Sequence, residues 1–140
     1  MSDSRAQDCA TAIVAAFARY NTAVWPMQFV LNAIALAIVV LAIRGRGGRW
    51  VAALLSLLWA WMALAYHFAF FASINPAAWL FGSVFLLGAA WTAWVGGLRS
   101  RLQFGGLHGL RGWTGMAAIV FALAVYPALG LWLGHRYPAV

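Results

Sequence analysis

The chain has 140 residues, 66% of them hydrophobic and 8% charged, with a mean hydropathy of +0.87. Soluble domains are about 45–50% apolar and about 25% charged, and so apolar a chain would expose aggregating patches in water. A soluble enzyme and a soluble binding module are therefore excluded, and the chain reads as an all-α integral membrane protein. The nine basic residues are all Arg, against Asp3 and Asp8, which gives a formal charge of +7. They fall in short runs between apolar blocks rather than on a soluble basic face, so they read as topology signals and no nucleic-acid partner is expected. Cys9 is the single cysteine and has no Cys or His at metal-ligand spacing. Two acids among the first eight residues argue against a cleavable signal peptide.

Residues 1–22 read as an amphipathic interfacial segment. Within it, Ser4 to Tyr20 form a short helix, with Ala10, Ile13, Val14 and Phe17 at helical spacing. Asn21-Thr22 is expected to break it, and Pro26 suits the first turn of a new helix. Residues 23–135 then form a bundle of four transmembrane helices, at about 24–43, 50–71, 77–97 and 113–134. Each has about 20 residues, enough at about 1.5 Å per residue to cross a hydrocarbon layer of about 30 Å. No Asp, Glu, Lys or Arg lies inside them. Residues 136–140 are a short outer tail.

Arginine sets the orientation. Arg44, Arg46 and Arg49 lie in the first loop, Arg99, Arg101 and Arg111 in the third, and none in the turn at Asn75-Pro76. Short Arg-rich loops stay in the cytoplasm, so both termini and the Asn75-Pro76 turn face outward. The tryptophans agree, since Trp25, Trp79 and Trp132 fall at outer ends and Trp50, Trp94 and Trp113 at inner ends, where an apolar ring with a polar N–H belongs. Trp59, Trp61 and Trp91 lie deeper and read as packing or lipid-facing residues.

Lipid is as apolar as Leu, so spans associate through close packing and polar contacts. The third span offers Ala78, Gly82, Ala89, Ala93 and Gly96 as a small-residue stripe, and the fourth offers Gly115, Ala118, Ala122 and Gly130. Pro127 is expected to disturb the fourth helix about one turn back. The short Asn75-Pro76 turn makes the second and third spans an antiparallel hairpin. No internal repeat suggests an inverted-repeat transporter.

Asn21, Trp25, Gln28 and Asn32 step by four, three and four residues and share one helix face. Amides inside a span need partners, so this face is expected to look into protein. It is either an interhelical hydrogen-bond contact, the commoner use, or a lining for a solute or ion. His67 is the ionisable side chain well inside the apolar segments, and Ser56, Ala60 and Ala63 share its face. A hydrogen bond to Asn75 or a carbonyl would make it structural. Otherwise it could relay a proton, ligate a metal, or serve as axial ligand to haem or bacteriochlorophyll. Ala63-x-x-x-His67 is similar to the small-residue-then-His spacing of light-harvesting polypeptides, which have one span. Asn21, Gln28, Asn32, His67 and Asn75 thus form the candidate polar pocket, with Trp25 and Trp79 at its rim. His108 and His135 lie on different sides and complete no metal constellation with His67, and no nucleophile–base pair or paired carboxylate is present. No metal, no catalytic residue and no resident cofactor is expected.

With these residues in place, the chain resembles a bacterial multi-pass membrane family, the domain of unknown function 6064. The matching pieces are Tyr20-Asn21-x-x-x-Trp25-Pro26-x-Gln28, Trp59, Trp61 and Tyr66-His67, Phe71-x-x-Ile74-Asn75-Pro76, and Tyr126-Pro127. The resemblance covers about Tyr20 to Pro138. It implies a bacterial inner membrane location and further apolar sequence past this Pro-rich step, where the chain ends at Val140. It implies no activity.

Three readings follow. The first is a non-catalytic accessory or structural subunit that docks on a larger membrane complex, with the lipid bilayer and other subunits or itself as partners. The second is a small-solute or ion transporter or channel lined by Gln28, Asn32 and His67. The third is a pigment- or haem-binding subunit using His67. The topology shared by all three is testable. Cysteines at Ser73 and Ser100, in a Cys9→Ser background, label from opposite sides of the membrane. Labelling from one side would refute four spans.

Overall fold

The computed structural model describes residues 2–104 and 109–134, so His108, His135, Arg136 and the rest of the tail lie outside the described residues. The described residues form helices in the order α1 (Ser2–Ala23), α2 (Trp25–Ile43), α3 (Gly48–Ser73), α4 (Ala77–Leu98) and α5 (Gly109–Trp132). Helices α2 to α5 are each long and apolar enough to cross a membrane. Their ends differ from the expected spans by four residues at most, because helical hydrogen bonding runs past the last apolar residue into polar positions such as Arg111.

The first helix departs from expectation. It is not broken at Asn21-Thr22 but continues through both to Ala23, and Val24 is the one residue outside regular helix before Trp25. The cause is Pro26. Its ring has no N–H to give the Thr22 carbonyl and crowds that carbonyl, so the chain bends within the preceding turn. Val24 still donates its N–H to the Tyr20 carbonyl at 2.9 Å, so the bend costs little hydrogen bonding. Among the described side chains, Ala16 and Tyr20 on α1 and Val24 just past it, at i, i+4 and i+8, are buried, whereas Ile13 and Val14 stay exposed.

Helix α2 ends at a glycine turn. Gly45 takes φ +61°, and the Arg46 N–H reaches back to the Leu41 carbonyl at 3.2 Å, closing the last turn as a left-handed cap does. Gly47, at φ +70°, starts α3.

The core is the α3–α4 hairpin. Val51 is 1% exposed, and Ala52 and Ala63 are fully buried. Opposite them, Ala78, Gly82, Ala89 and Gly96 are buried on α4, the stripe the sequence suggests. A Cβ at Gly82 would strike the Phe68 ring, one at Gly88 the Trp59 ring, and one at Gly96 the Cβ of Ala52. Small residues on α4 thus receive large rings from α3, and the backbones approach closely. The Ser56 hydroxyl, buried at this contact, donates to its own helix at the Ala52 carbonyl, 2.7 Å away. At the turn, the Asn75 side-chain oxygen accepts the Ala77 N–H at 3.0 Å and so starts α4.

Helix α5 widens into a π-helical stretch at Phe121–Val125, one turn before Pro127, where the missing N–H leaves the regular ladder incomplete. It does not join the bundle. Among the described residues, its segments contact chiefly one another, none of its residues is buried, and no neighbouring atom lies within 4 Å of a Cβ built at Gly115 or Gly130. Among the described residues the expected four-helix bundle is therefore a packed hairpin with α1 and α2 against it, and the small-residue face of α5 finds no partner.

These contacts set opposite signs for one substitution. In a helix, Gly→Ala normally stabilises by about 0.5–1 kcal/mol. Gly115→Ala should therefore leave thermal stability in detergent unchanged or raised. Gly96→Ala should lower it by about 1–3 kcal/mol, because the opposing Ala52 Cβ cannot rotate away.

Candidate functional site

The end of the hairpin nearest Asn75-Pro76 carries an aromatic cluster that ties α1 to α3. Tyr20 is 7% exposed, and its hydroxyl oxygen accepts the Trp61 indole N–H at 3.1 Å. Its ring meets Tyr66 and Phe70 edge-on, with centroids 5.3 and 5.4 Å away. One turn earlier, Phe17 lies edge-on to Phe71 at 5.0 Å, and Phe71 stacks on Tyr66 at 4.4 Å. These separations are those of attractive ring pairs, about 0.5–1.5 kcal/mol each beyond area burial.

The receiving part of α3, Met62–Phe70, is π-helical, and the Phe71 N–H bonds the Tyr66 and His67 carbonyls. Wide turns of this kind recur where a helix presents side chains to a site. His67 lies on it, half-buried, on the same packed face as Ser56 and Ala63. Its imidazole lies 5.2 Å from Phe85 and 6.1 Å from Phe81, both on α4, and 5.0 Å from Tyr66. Among the described residues no hydrogen bond reaches the imidazole. The expected bond to Asn75 is absent, because the Asn75 oxygen holds the Ala77 N–H instead. His67 is thus held by aromatic rings, with both ring nitrogens uncommitted among the described residues.

Gln28 and Asn32 lie one turn apart on α2. Gln28 is half-buried and Asn32 exposed, and among the described residues neither carboxamide has a hydrogen-bond partner. By contrast, Ser56 and Ser83 satisfy their hydroxyls on their own helices. Asn21 is half-buried near the end of α1, and Asn75 is exposed in the turn. The structure therefore does not draw the five candidates together by hydrogen bonds: Asn75 caps α4, His67 engages α4, and Gln28 and Asn32 remain open on α2. Trp79 stacks on Phe68 at 5.1 Å, and Trp25 lies edge-on to Phe29 at 5.4 Å.

Two cavities are present elsewhere. A groove of about 670 Å³ lies between residues 45–50, the turn after α2 with the first turn of α3, and the loop at 100–104. A shallow apolar depression of about 640 Å³ runs along Leu87, Gly88, Trp91 and Trp94 on α4. Among the described residues, no group of three His, Cys, Asp or Glu side chains could hold a metal ion.

A family of unknown function (DUF6064) matches residues 10–140. The chain belongs to that family. No curated protein and no solved structure matches it. Three of the four pieces that carried the resemblance in sequence meet in space: Tyr20, Trp61, Tyr66 and Phe71 are one cluster, joined by a hydrogen bond and ring contacts, while Tyr126-Pro127 lies apart on α5. Sequence reasoning missed the Tyr20–Trp61 bond, since 41 residues separate the partners and only helix packing aligns them. It also missed the groove between the Arg-rich loops, although the charge pattern marked both of its walls.

The cluster predicts a graded response. Tyr20→Phe keeps the ring contacts and loses the indole bond, so stability should fall by about 1 kcal/mol. Tyr20→Ala removes the ring as well and should cost about 3–5 kcal/mol. A double-mutant cycle between Tyr20→Phe and Trp61→Phe should show coupling. Strict additivity would mean the bond contributes nothing.

Proposed function

We propose that this protein is a small non-catalytic subunit of a membrane assembly, whose α2 face docks on other protein subunits or on copies of itself. The observation that carries this reading is the pair of carboxamides at Gln28 and Asn32. Asn32 lies about 10 Å along α2 from Trp25, at hydrocarbon depth if the helix spans. No water or lipid group there satisfies an amide, and leaving one unpaired costs several kcal/mol. Among the described residues neither finds a partner. A neighbouring helix with polar side chains would supply one, at about 0.6–2 kcal/mol per contact.

The same docking would cover the unpacked faces of α2 and α5. The charge pattern supports a bacterial inner membrane location with the loops at Arg44–Arg49 and Arg99–Arg101 in the cytoplasm.

The test is the mass of the particle extracted in mild detergent. The native chain should run as a complex larger than one chain plus its micelle, and Gln28→Leu with Asn32→Leu should shift it to the monomer while the helical circular dichroism is kept. A monomeric native chain, or a complex indifferent to both changes, would overturn the proposal. A particle of this chain alone that passes solute in liposomes, and stops when Asn32 is replaced by Leu, would support instead a pathway lined by Gln28 and Asn32.

A further inference from the structure

At the end of the hairpin opposite the aromatic cluster, the two Arg-rich loops pack against each other. A Cβ at Gly48 would lie 2.7 Å from the Leu102 carbonyl oxygen, and one at Gly96 would lie 2.8 Å from the Leu102 side chain. The Arg49 side chain crosses between them and donates Nε–H to the Gly97 carbonyl at 3.0 Å. Arg49, in the first turn of α3, lies at this contact, Arg44 and Arg46 precede it in the turn after α2, and Arg99 and Arg101 follow α4. Among the described residues no carboxylate pairs with any of them, and the only acidic side chains of the sequence are Asp3 and Asp8. Arg99 lies over the Trp94 ring at 4.7 Å, which places a cation beside an aromatic ring at the end of the span.

Between the loops lies the groove of about 670 Å³. Arg49, Ser100 and Gln103 give it polar donors, and Trp50, Leu102 and Phe104 give it an apolar side. Its volume is that of a small-molecule site. Because Nε of Arg49 is bonded to backbone, the guanidinium is held in place while its Nη donors have no protein partner among the described residues. A fixed guanidinium with free N–H groups is suited to phosphate oxygens.

We propose that this groove binds the phosphodiester headgroup of an anionic phospholipid of the phosphatidylglycerol or cardiolipin class. The phosphate sits at Arg49, the glycerol hydroxyls meet Ser100 and Gln103, and Trp50 and Phe104 cover the start of the acyl chains. The mixed lining favours a lipid over a free anion, because free phosphate uses only the polar half. The position favours it too, since the groove lies at the ends of α3 and α4, at headgroup level if these helices span. Basic pockets between spans on the cytoplasmic side commonly take such headgroups. The proposal goes beyond the subunit reading and stands on different residues.

The test uses the full chain, purified in an uncharged detergent and delipidated. Melting temperature and native mass spectra are followed against short-chain phosphatidylglycerol, short-chain phosphatidylcholine and sodium phosphate. Phosphatidylglycerol should raise the melting temperature saturably and give a one-lipid adduct, with at least tenfold higher affinity than either other probe. Arg49→Gln should weaken it at least tenfold. Arg46→Gln with Arg101→Gln leaves the Arg49–Gly97 bond in place and should weaken it severalfold, so the test survives if the Arg49 variant misfolds. Arg19→Gln, on exposed α1 surface, should change nothing. Equal response to phosphatidylglycerol and phosphatidylcholine would overturn the proposal. So would phosphate binding as tightly as the lipid, or unchanged lipid binding by the double variant.

Discussion

Two apolar helices in a bilayer gain nothing from leaving lipid for each other unless they pack more closely than lipid packs on them. The α3–α4 contact meets that condition. Rings from α3, Phe68 and Trp59, cover Gly82 and Gly88 of α4, and Ala52 lies against Gly96 where neither side carries bulk. The same contact fixes both ends of the molecule. At one end it holds the loop at Leu102 against Gly48, and at the other it sets the imidazole of His67 beside Phe81 and Phe85. Loosening it would therefore disturb the Arg-rich groove and the aromatic cluster together, though they lie at opposite ends of the same two helices.

Helix α3 is the hub around which the rest is arranged. Its first part, Gly48–Trp61, packs on α2 and α4, and its π-helical part, Met62–Phe70, packs on α1 and α4. Helices α1 and α2 are nearly one rod bent at Val24, and they grip α3 at two levels. The bend is what allows this. A straight helix from Ser2 to Ile43 would carry Tyr20 along the α2 axis instead of leaving α1 its own direction toward Trp61. Pro26 imposes the bend at the cost of one backbone hydrogen bond, and Tyr20 secures it with a side-chain bond and two ring contacts.

Much of this was legible in the sequence. Length and apolarity mark four helices, because lipid demands both. The stripe from Ala78 to Gly96 reads correctly as a contact face, since small residues at helical spacing have few other uses in a span. The same logic fails for Gly115 to Gly130, where small residues are present but, among the described residues, no partner is: spacing reveals what a face permits, not what occupies it. The Asn21-Thr22 break fails for a related reason. Both residues are only weakly averse to helix, and the decisive group is the proline four residues on, acting backward on Thr22. His67 could be placed on the face of Ser56 and Ala63 from periodicity alone, but Phe81 and Phe85 could not be assigned to it without the register of the hairpin. The five candidate polar residues form one pocket on paper because Asn21, Gln28 and Asn32 share a helix face that starts from the same outer end as His67 and Asn75. Among the described residues no hydrogen bond links them, and the Asn75 oxygen is taken by the start of α4.

Openness has a different meaning at different depths. Leu80, Leu87 and Trp91 on α4, and Leu131 and Trp132 on α5, are highly exposed, yet lipid would satisfy them fully if these helices span. Bare apolar surface on a membrane helix is therefore no argument for a partner, and the isolation of α5 carries little weight alone. Two sets of groups are not satisfied by hydrocarbon. The guanidinium groups of Arg44, Arg46, Arg49, Arg99 and Arg101 lie in loops at span ends, where phosphate is abundant and each cation near an anionic surface gains about 1 kcal/mol. The carboxamides of Gln28 and Asn32 lie on a helix whose flanking residues are apolar throughout. They are neutral, so headgroup phosphate several ångströms above offers them little, and Asn32 is too short to reach it. The first set asks for lipid headgroups and the second for protein or enclosed water. On the two proposals together, one chain would select its lipids at one end and its protein neighbours along one helix, with neither interaction competing for the residues of the other.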